Sequence, residues 1–242
     1  MCDNEHILTE LLKSSLFGTE PILPQDLEWV AVLSEAKDQT VVALAAKAVP
    51  QEVASVWQES AMQSQAKFIR LVHEQSQLVN LFERVGIPLV ILKGMAAAIY
   101  YPEPFRRTMG DVDFLVPQDA IEKAVHLMEE NGYQKISDGN RHVAFQKAGL
   151  EFELHHRFSY PDLNIEDYII DGLSHPEWGN IGGNRFPMLP RLANGMVLLS
   201  HLRTHMKSGI GIRHIIDWMM YVDRELDDEF WQNEFRGQIW DQ

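Results

Sequence analysis

The most restrictive feature of this chain is a short apolar run, predicted to be a β-strand, that opens with Asp111 and Asp113. Side chains alternate between the two faces of a strand, so residues two positions apart point the same way. The two carboxylates are therefore presented together, while Val112 and Phe114 face the core. Adjacent carboxylates repel each other, and burying them without a cation is costly. Because Mg²⁺ and Mn²⁺ prefer carboxylate oxygens, the pattern predicts a metal site.

A later strand supplies a third carboxylate. In the run from Leu150 to His155, the polar residues Glu151, Glu153 and His155 share one face. If this strand lies beside the strand of the two aspartates, either Glu153 or Glu151 reaches the same metal ions. Three acidic groups can hold two ions about 3.5–4 Å apart, which suits in-line displacement at phosphorus.

A lysine–glycine pair and an arginine pair are candidate phosphate-binding elements. Lys93 and Gly94 stand where a buried apolar run ends and an alanine-rich helix is predicted to begin. Glycine lets a phosphate approach the backbone, and the first turn of a helix offers unpaired N–H groups. Arg106 and Arg107 shortly precede the aspartates and can steady phosphate oxygens. The joint order of these elements favours a catalytic site over an ordinary polar surface.

The hydrophobic pattern divides the chain into three regions. Residues 1–85 have helical spacing, residues 86–160 combine strands with short helices, and residues 161–242 are predicted to be loop-rich and then helical. Four strands are predicted in the middle region, at 88–92, 111–116, 142–147 and 150–157. The predicted fold class is α+β, a small mixed β-sheet core flanked by N-terminal and C-terminal helices.

Charge and composition narrow the class of partner. The net charge is −14, from 21 Lys and Arg against 35 Asp and Glu. A field of this sign repels a phosphate backbone, so general nucleic-acid binding is not expected. A single cysteine excludes an internal disulfide, and the acidic N-terminus does not resemble a signal peptide. No apolar run reaches the roughly 18 residues of a spanning helix, so we expect a cytoplasmic protein without membrane contact.

Four short motifs, taken together, carry a resemblance to a known family. They are Leu92-Lys93-Gly94, Tyr100, the run from Arg107 through Gly110 to Asp111-Val112-Asp113, and Glu153-Leu154-His155. In these the chain resembles nucleotidyltransferases of the DNA-polymerase-beta-like superfamily, and in particular the bacterial nucleotidyltransferase proteins of unassigned substrate. One departure is Met95, which stands where many members have a serine that contacts phosphate.

The resemblance implies roles for specific residues. It implies that Asp111, Asp113 and Glu153, rather than Glu151, are the catalytic metal ligands. It also implies that the nucleotide is bound by four residues, Lys93, Gly94, Arg107 and Gly110, with Arg107 favoured over Arg106. The implied activity is metal-dependent transfer of a nucleoside monophosphate from a nucleoside triphosphate to a hydroxyl of a small molecule or protein. The alternative is a catalytically silent member that serves as a binding or antitoxin-like module.

Three further residues are candidate substrate contacts: His155, His205 and Arg213. His201 and His205 lie four apart on a predicted helix and could share a metal, but the sequence offers no evident third ligand. Arg213 and Asp217 have the spacing of an ion pair within one helix. His155 shares the acidic face of its strand, where it could contact substrate or orient Glu153.

Overall fold

A mixed sheet of seven strands, enclosed by helices, forms the framework of the fold in a computed structural model of the chain. The structure describes residues 4–157, 165–206, 209–227 and 229. The strands are β1 (Val90–Leu92), β2 (Val112–Leu115), β3 (Gln134–Asp138), β4 (His142–Lys147), β5 (Leu150–His155), β6 (Glu177–Ile181) and β7 (Asn184–Met188). The helices are α1 (Asn4–Phe17), α2 (Trp29–Asp38), α3 (Val42–Ala45), α4 (Ala54–Val85), α5 (Gly94–Ala98), α6 (Ile121–Glu130), α7 (Glu166–Ser174), α8 (Arg191–Met206) and α9 (Ile212–Glu225). The α+β fold class predicted from the sequence is confirmed.

The strand order places the two acidic strands side by side at the centre of the sheet. The order is β3-β4-β5-β2-β1-β7-β6. Strands β2 and β5 are parallel, as are β1 and β7, and the other neighbours are antiparallel. In this register Asp113 lies opposite Glu153 on one side and opposite Leu92 on the other. The sheet thus brings residues far apart in sequence to one point.

Each face of the sheet is covered by a different set of helices. The 32-residue helix α4 and the helix α6 pack on one face, against Val112, Phe114 and the other core residues of that side. The opposite face carries Val90 and Leu115 against α7 and α8. Alternation along β2 therefore directs Asp113 toward the side of α8, while Val112 and Phe114 form core. A third cluster joins α1, α2 and α3 to α9.

The loop-rich prediction for the stretch after Arg157 was wrong for the part that the structure describes. Residues 166–188 form α7 and the hairpin of β6 and β7, and β7 pairs with β1. Gly182 and Gly183 both have positive φ, 59° and 84°, and they form the two-residue loop of this hairpin. Proline and glycine within the strands had masked the apolar pattern. Residues 158–164 lie outside the described residues.

Strand β3 was also missed, because all five of its residues are exposed and give no hydrophobic alternation. Because β6 and β7 belong to the sheet, the region predicted as 161–242 extends the same sheet as the middle region. Its last residues, 230–242, lie outside the described residues. Within the described chain, no helix combines the length and apolarity needed to cross a membrane.

Candidate active site

Three carboxylates converge where β2 and β5 run side by side. Asp111, Asp113 and Glu153 each offer an oxygen, and these oxygens lie within 4.8 Å of one another. Asp113 is almost completely buried, whereas Asp111 and Glu153 are half-buried. Glu151, the alternative on the same strand, is exposed. The structure thus places Glu153, as the resemblance implied, beside the two aspartates.

The electrostatics of this cluster suit a cation. Burial, reinforced by the neighbouring charge of Asp113, raises the pKa of Asp111 to about 6. Burial also opposes ionisation of Asp113, but Lys93 and a hydrogen bond from His155 outweigh it and hold the pKa of that carboxyl well below its usual range. Three carboxylates this close, one of them reluctant to ionise, match the oxygen donor set that Mg²⁺ or Mn²⁺ takes.

Lys93 is held in an uncommon backbone conformation beside the carboxylates. Its φ of 45° and ψ of −123° place a non-glycine residue in a sparsely populated region. Its Nζ lies 2.5 Å from Oδ1 of Asp113. Burial lowers the pKa of Lys93, but the charges of Asp113 and Glu153 more than offset it, so that the pKa is raised overall. The ammonium group therefore partly neutralises the cluster and would compete with a metal for Asp113.

His155 links two of the carboxylates. Its Nε2 lies 2.9 Å from Oδ1 of Asp113 and 3.2 Å from Oε2 of Glu153. Burial lowers the pKa of His155, but hydrogen bonds to both carboxylates dominate and raise it. His142, opposite His155 on the neighbouring strand, reaches Glu153 at 3.8 Å. His155 thus fixes the orientation of both acidic side chains.

A small cavity of about 170 Å³ opens beside these groups. Three of its lining side chains are cationic: Lys93, Arg141 and Arg157. Glu153 and His155 line it from the sheet, and His201 and His205 line it from α8. A cavity lined by cations and by Glu153 of the carboxylate cluster can bind an anionic group next to a divalent ion.

Arg107 lies in a buried network with Asp217 and Tyr101 that the sequence did not predict. Its Nε and Nη2 donate to the two carboxylate oxygens of Asp217, each at 2.7 Å. Tyr101 donates its hydroxyl to the same carboxylate, also at 2.7 Å. The predicted ion pair of Asp217 with Arg213 was wrong, because the longer reach from the loop to α9 gives Arg107 a bidentate geometry. Direct contact of Arg107 with a triphosphate would require this pair to open.

The remaining predicted residues surround the same loop. Arg213 is half-buried and donates from Nη1 to the carbonyl of Thr108, while its Nε has no partner among the described residues. Gly94 is buried, and a Cβ there would meet Met109 at 3.2 Å, so this glycine permits the loop to approach β1. Gly110 is exposed, with open space where a Cβ would stand.

His205 lies at the end of α8, where three imidazole rings gather. His201, His205 and His214 offer nitrogen atoms that lie within 4.8 Å of one another. The sequence interpretation had found no third ligand for the first two, and the structure supplies His214 from the first turn of α9. No sequence signal identifies it, because its place depends on how α9 packs against α8.

Arg141, His142 and Arg157 are further cavity residues that the sequence interpretation missed. For His142 a signal existed. The turn at Ala148 and Gly149 fixes the register of β4 and β5, and that register places His142 opposite His155. The two arginines lie just outside the strands, where periodicity carries no information.

Comparison with known proteins identifies one family and several similar structures. Residues 25–236 match a family described as uncharacterised nucleotidyltransferase. No curated protein matches the chain. The matched segment contains every candidate site residue described above.

Solved structures with a similar arrangement share little sequence with this chain. The structure of ANT(2'')-Ia in complex with adenylyl-2''-tobramycin is 12% identical, with a TM-score of 0.47, covering 63% of this chain and 87% of its own. An antigenic nucleotidyltransferase-like protein from Paracoccidioides brasiliensis is 19% identical, with a TM-score of 0.45 and coverage of 63% and 75%. The lincosamide antibiotic adenylyltransferase LnuA with lincomycin bound is 14% identical, with a TM-score of 0.43 and coverage of 62% and 94%.

Proposed function

The chain belongs to the uncharacterised nucleotidyltransferase family and is a transferase, and we propose that it moves a nucleoside monophosphate from a nucleoside triphosphate to a hydroxyl group in a metal-dependent reaction. The observation that carries the proposal is the convergence of Asp111, Asp113 and Glu153 within 4.8 Å. These three residues would hold Mg²⁺ or Mn²⁺. When bound, such an ion neutralises triphosphate charge and lowers the pKa of the attacking hydroxyl.

Cationic side chains around the cavity would bind the triphosphate. Lys93, Arg141 and Arg157 line the cavity together with Glu153. Lys93 contacts Asp113 at 2.5 Å, so a metal at Asp113 would displace its ammonium toward the phosphate oxygens. The flexible four-carbon side chain lets the ammonium move between these partners without a change in the backbone. The role proposed for Lys93 is therefore an exchange of partners, from Asp113 to the nucleotide.

Arg107 and His155 would act by positioning the metal ligands. The Arg107–Asp217 pair ties the loop that leads to Asp111 onto α9. His155 holds Asp113 and Glu153 through one nitrogen atom. Preorganised carboxylates of this kind reduce the reorganisation needed when the transition state forms.

The acceptor would be a small molecule or a protein hydroxyl. The net charge of −14 disfavours a polynucleotide, whose phosphates a field of this sign repels. His205 and Arg213, with His155, remain the proposed substrate contacts. His155 and His205 line the cavity, and the charge of Arg213 acts on Asp111, where it opposes the rise of the pKa.

The test is a transfer assay with two labels. The four common nucleoside triphosphates, labelled separately at the α and the γ phosphorus, are incubated with Mg²⁺ or Mn²⁺, the protein and cell extract. Nucleotidyl transfer places only the α label on an acceptor, because pyrophosphate leaves. The variant with both Asp111→Asn and Asp113→Asn should lose the labelled product, whereas Asp119→Asn, an exposed aspartate outside the site, should retain it. Transfer of the γ label, or activity that survives the double substitution, contradicts the proposal.

A further inference from the structure

Three imidazole rings from two helices meet beside the cavity. His201 and His205 lie one turn apart on α8, and His214 comes from the first turn of α9. The Nε2 atoms of His201 and His205 are 3.1 Å apart. The three ring centroids are separated by 4.1 to 4.9 Å. Three half-buried rings this close form a compact set of nitrogen donors.

The third ring is already oriented by its backbone. Nδ1 of His214 lies 3.3 Å from the carbonyl of Gly211, to which it can donate its proton. That contact selects the tautomer in which Nε2 carries the free lone pair. A hydrogen bond from the other ring nitrogen to a carbonyl is the usual support of a metal-binding histidine.

The charge state of the rings also suits coordination. Burial, together with the charge of Lys93, lowers the pKa of His201 and of His205. Burial and the neighbouring His205 lower the pKa of His214 to about 4. These shifts favour the neutral imidazole, which is the form that binds a metal.

The spacing and the surroundings together indicate the class of ion. Two nitrogens bound to one tetrahedral Zn²⁺ at 2.0–2.1 Å lie about 3.3 Å apart. The separation of 3.1 Å between His201 and His205 is close to that value. A hard ion such as Mg²⁺ prefers oxygen ligands, whereas imidazole nitrogen suits borderline transition metals.

We propose that His201, His205 and His214 bind one transition-metal ion of the Zn²⁺ class, separate from the ions of the carboxylate cluster. His201 and His205 line the same cavity as Glu153. A fourth ligand could therefore reach the ion from that cavity, as a water molecule or a donor group of the acceptor. The site rests on its own residues and does not depend on the proposed transfer reaction.

A second group of ligands nearby provides the main rival. His142, Glu153 and His155 also offer atoms within 4.8 Å of one another. His155, however, already contacts Asp113 and Glu153 through Nε2, the nitrogen that faces the cluster. A transition metal at this second group would require both contacts to be exchanged. The experiment therefore separates the two locations.

The test is metal binding by the purified full chain. After chelation and dialysis, the protein is titrated with Co²⁺ and with Zn²⁺, and bound metal is measured by visible absorption and by elemental analysis. We expect about one tightly bound equivalent with a tetrahedral Co²⁺ spectrum. His214→Ala should lose it, whereas His142→Ala and the exposed control His175→Ala should keep it. Loss in His142→Ala but not in His214→Ala overturns the proposal, as does a wild-type protein that binds no Co²⁺ or Zn²⁺.

A gain of signal guards against a variant that merely misfolds. His214→Cys should retain Co²⁺ and acquire a sulfur-to-cobalt charge-transfer band in the near ultraviolet, absent from the wild type. A Co²⁺ complex of the folded variant without this band overturns the proposal. The variant with both Asp111→Asn and Asp113→Asn should keep the Co²⁺ site, so failure of the transfer reaction and failure of this site are distinguishable.

Discussion

Two buried aspartates, Asp113 and Asp217, show how differently this chain treats the same side chain. They are almost equally buried, with side chains 4% and 3% exposed. Asp217 accepts hydrogen bonds on both oxygens from Arg107 and a third from Tyr101. Asp113 receives Lys93 and His155 on a single oxygen, and two further carboxylates lie within 4.8 Å.

The difference separates a structural ion pair from a site that needs a ligand. At Asp217 one negative charge meets one guanidinium in bidentate geometry, and the pair is complete. At Asp113 two positively charged or protonatable side chains share one carboxylate oxygen while two more carboxylates lie alongside, and the pKa of Asp111 rises to about 6 as a result of burial and of Asp113. Crowded carboxylates of this kind are typical of functional sites, because a cation from solution can relieve their mutual repulsion.

The largest effect on activity should come from removing one carboxylate of the cluster formed by Asp111, Asp113 and Glu153. Glu153→Gln keeps the shape of the side chain but removes a metal ligand, and we expect nucleotidyl transfer to fall by about a thousandfold. Glu151→Gln, on the same strand but exposed, is the matched control and should keep near wild-type activity. Initial-rate assays with saturating metal measure both. Equal losses in the two variants would remove the distinction drawn between them.

Breaking the Arg107–Asp217 pair should lower the stability of the fold. Asp217→Ala leaves the guanidinium of Arg107 buried without its counter-ion, and we expect the free energy of unfolding to fall by about 3–5 kcal/mol. Urea denaturation measures the change. Asp223→Ala, an exposed aspartate of the same helix, should alter stability by less than about 0.5 kcal/mol. A loss below about 1 kcal/mol for Asp217→Ala would show that the pair does not hold α9 to the loop.

Lys93, the lysine that contacts Asp113, should affect both metal binding and nucleotide binding. Because its ammonium competes with a metal for Asp113, Lys93→Met should raise the affinity for Mn²⁺ without nucleotide by about tenfold. The same change should weaken binding of the nucleoside triphosphate, since a cation on the cavity wall is lost. Mn²⁺ binding followed by electron paramagnetic resonance tests the first effect, and calorimetry tests the second. Weaker Mn²⁺ binding in the variant would mean that Lys93 supports the metal rather than competing with it.

The smallest expected effect is a pH dependence. Because the pKa of Asp111 is about 6, a proton competes with the metal below that pH and leaves above it. Titration of Asp111 should therefore raise the apparent affinity for Mn²⁺ without nucleotide about fourfold between pH 5.5 and 7.5. In Asp111→Asn this rise should be absent or much reduced. An affinity that falls over the same range would contradict the assigned direction of the shift.

Much of the core and the carboxylate cluster could be predicted from sequence because period-two alternation fixes both. Strand β4 was predicted with its observed bounds, and Asp113 and Glu153 were expected on neighbouring strands. The Gly182–Gly183 turn carried a readable hairpin signal, but glycine and proline within β6 and β7 hid the strands around it.

Other features depend on packing between elements and leave no periodic trace. The partner of Asp217 was misassigned because spacing along one helix favoured Arg213, whereas the tertiary structure brings Arg107 of the loop to Asp217. His214 meets His201 and His205 only through the packing of α9 on α8. Residue spacing within one element does not reveal how two elements pack against each other, so such contacts could not be predicted from it.

The central claim is that Asp111 of the loop before β2, Asp113 of β2 and Glu153 of β5 form one site for the cation that accompanies a nucleoside triphosphate. Crystals grown with Mn²⁺ and a non-hydrolysable nucleoside triphosphate, measured at the manganese absorption edge, test it directly. Anomalous density should lie among Asp111, Asp113 and Glu153, with the triphosphate beside it and Lys93 turned toward the phosphates. A bound nucleotide whose manganese lies elsewhere, with Lys93 still paired to Asp113, would contradict the claim.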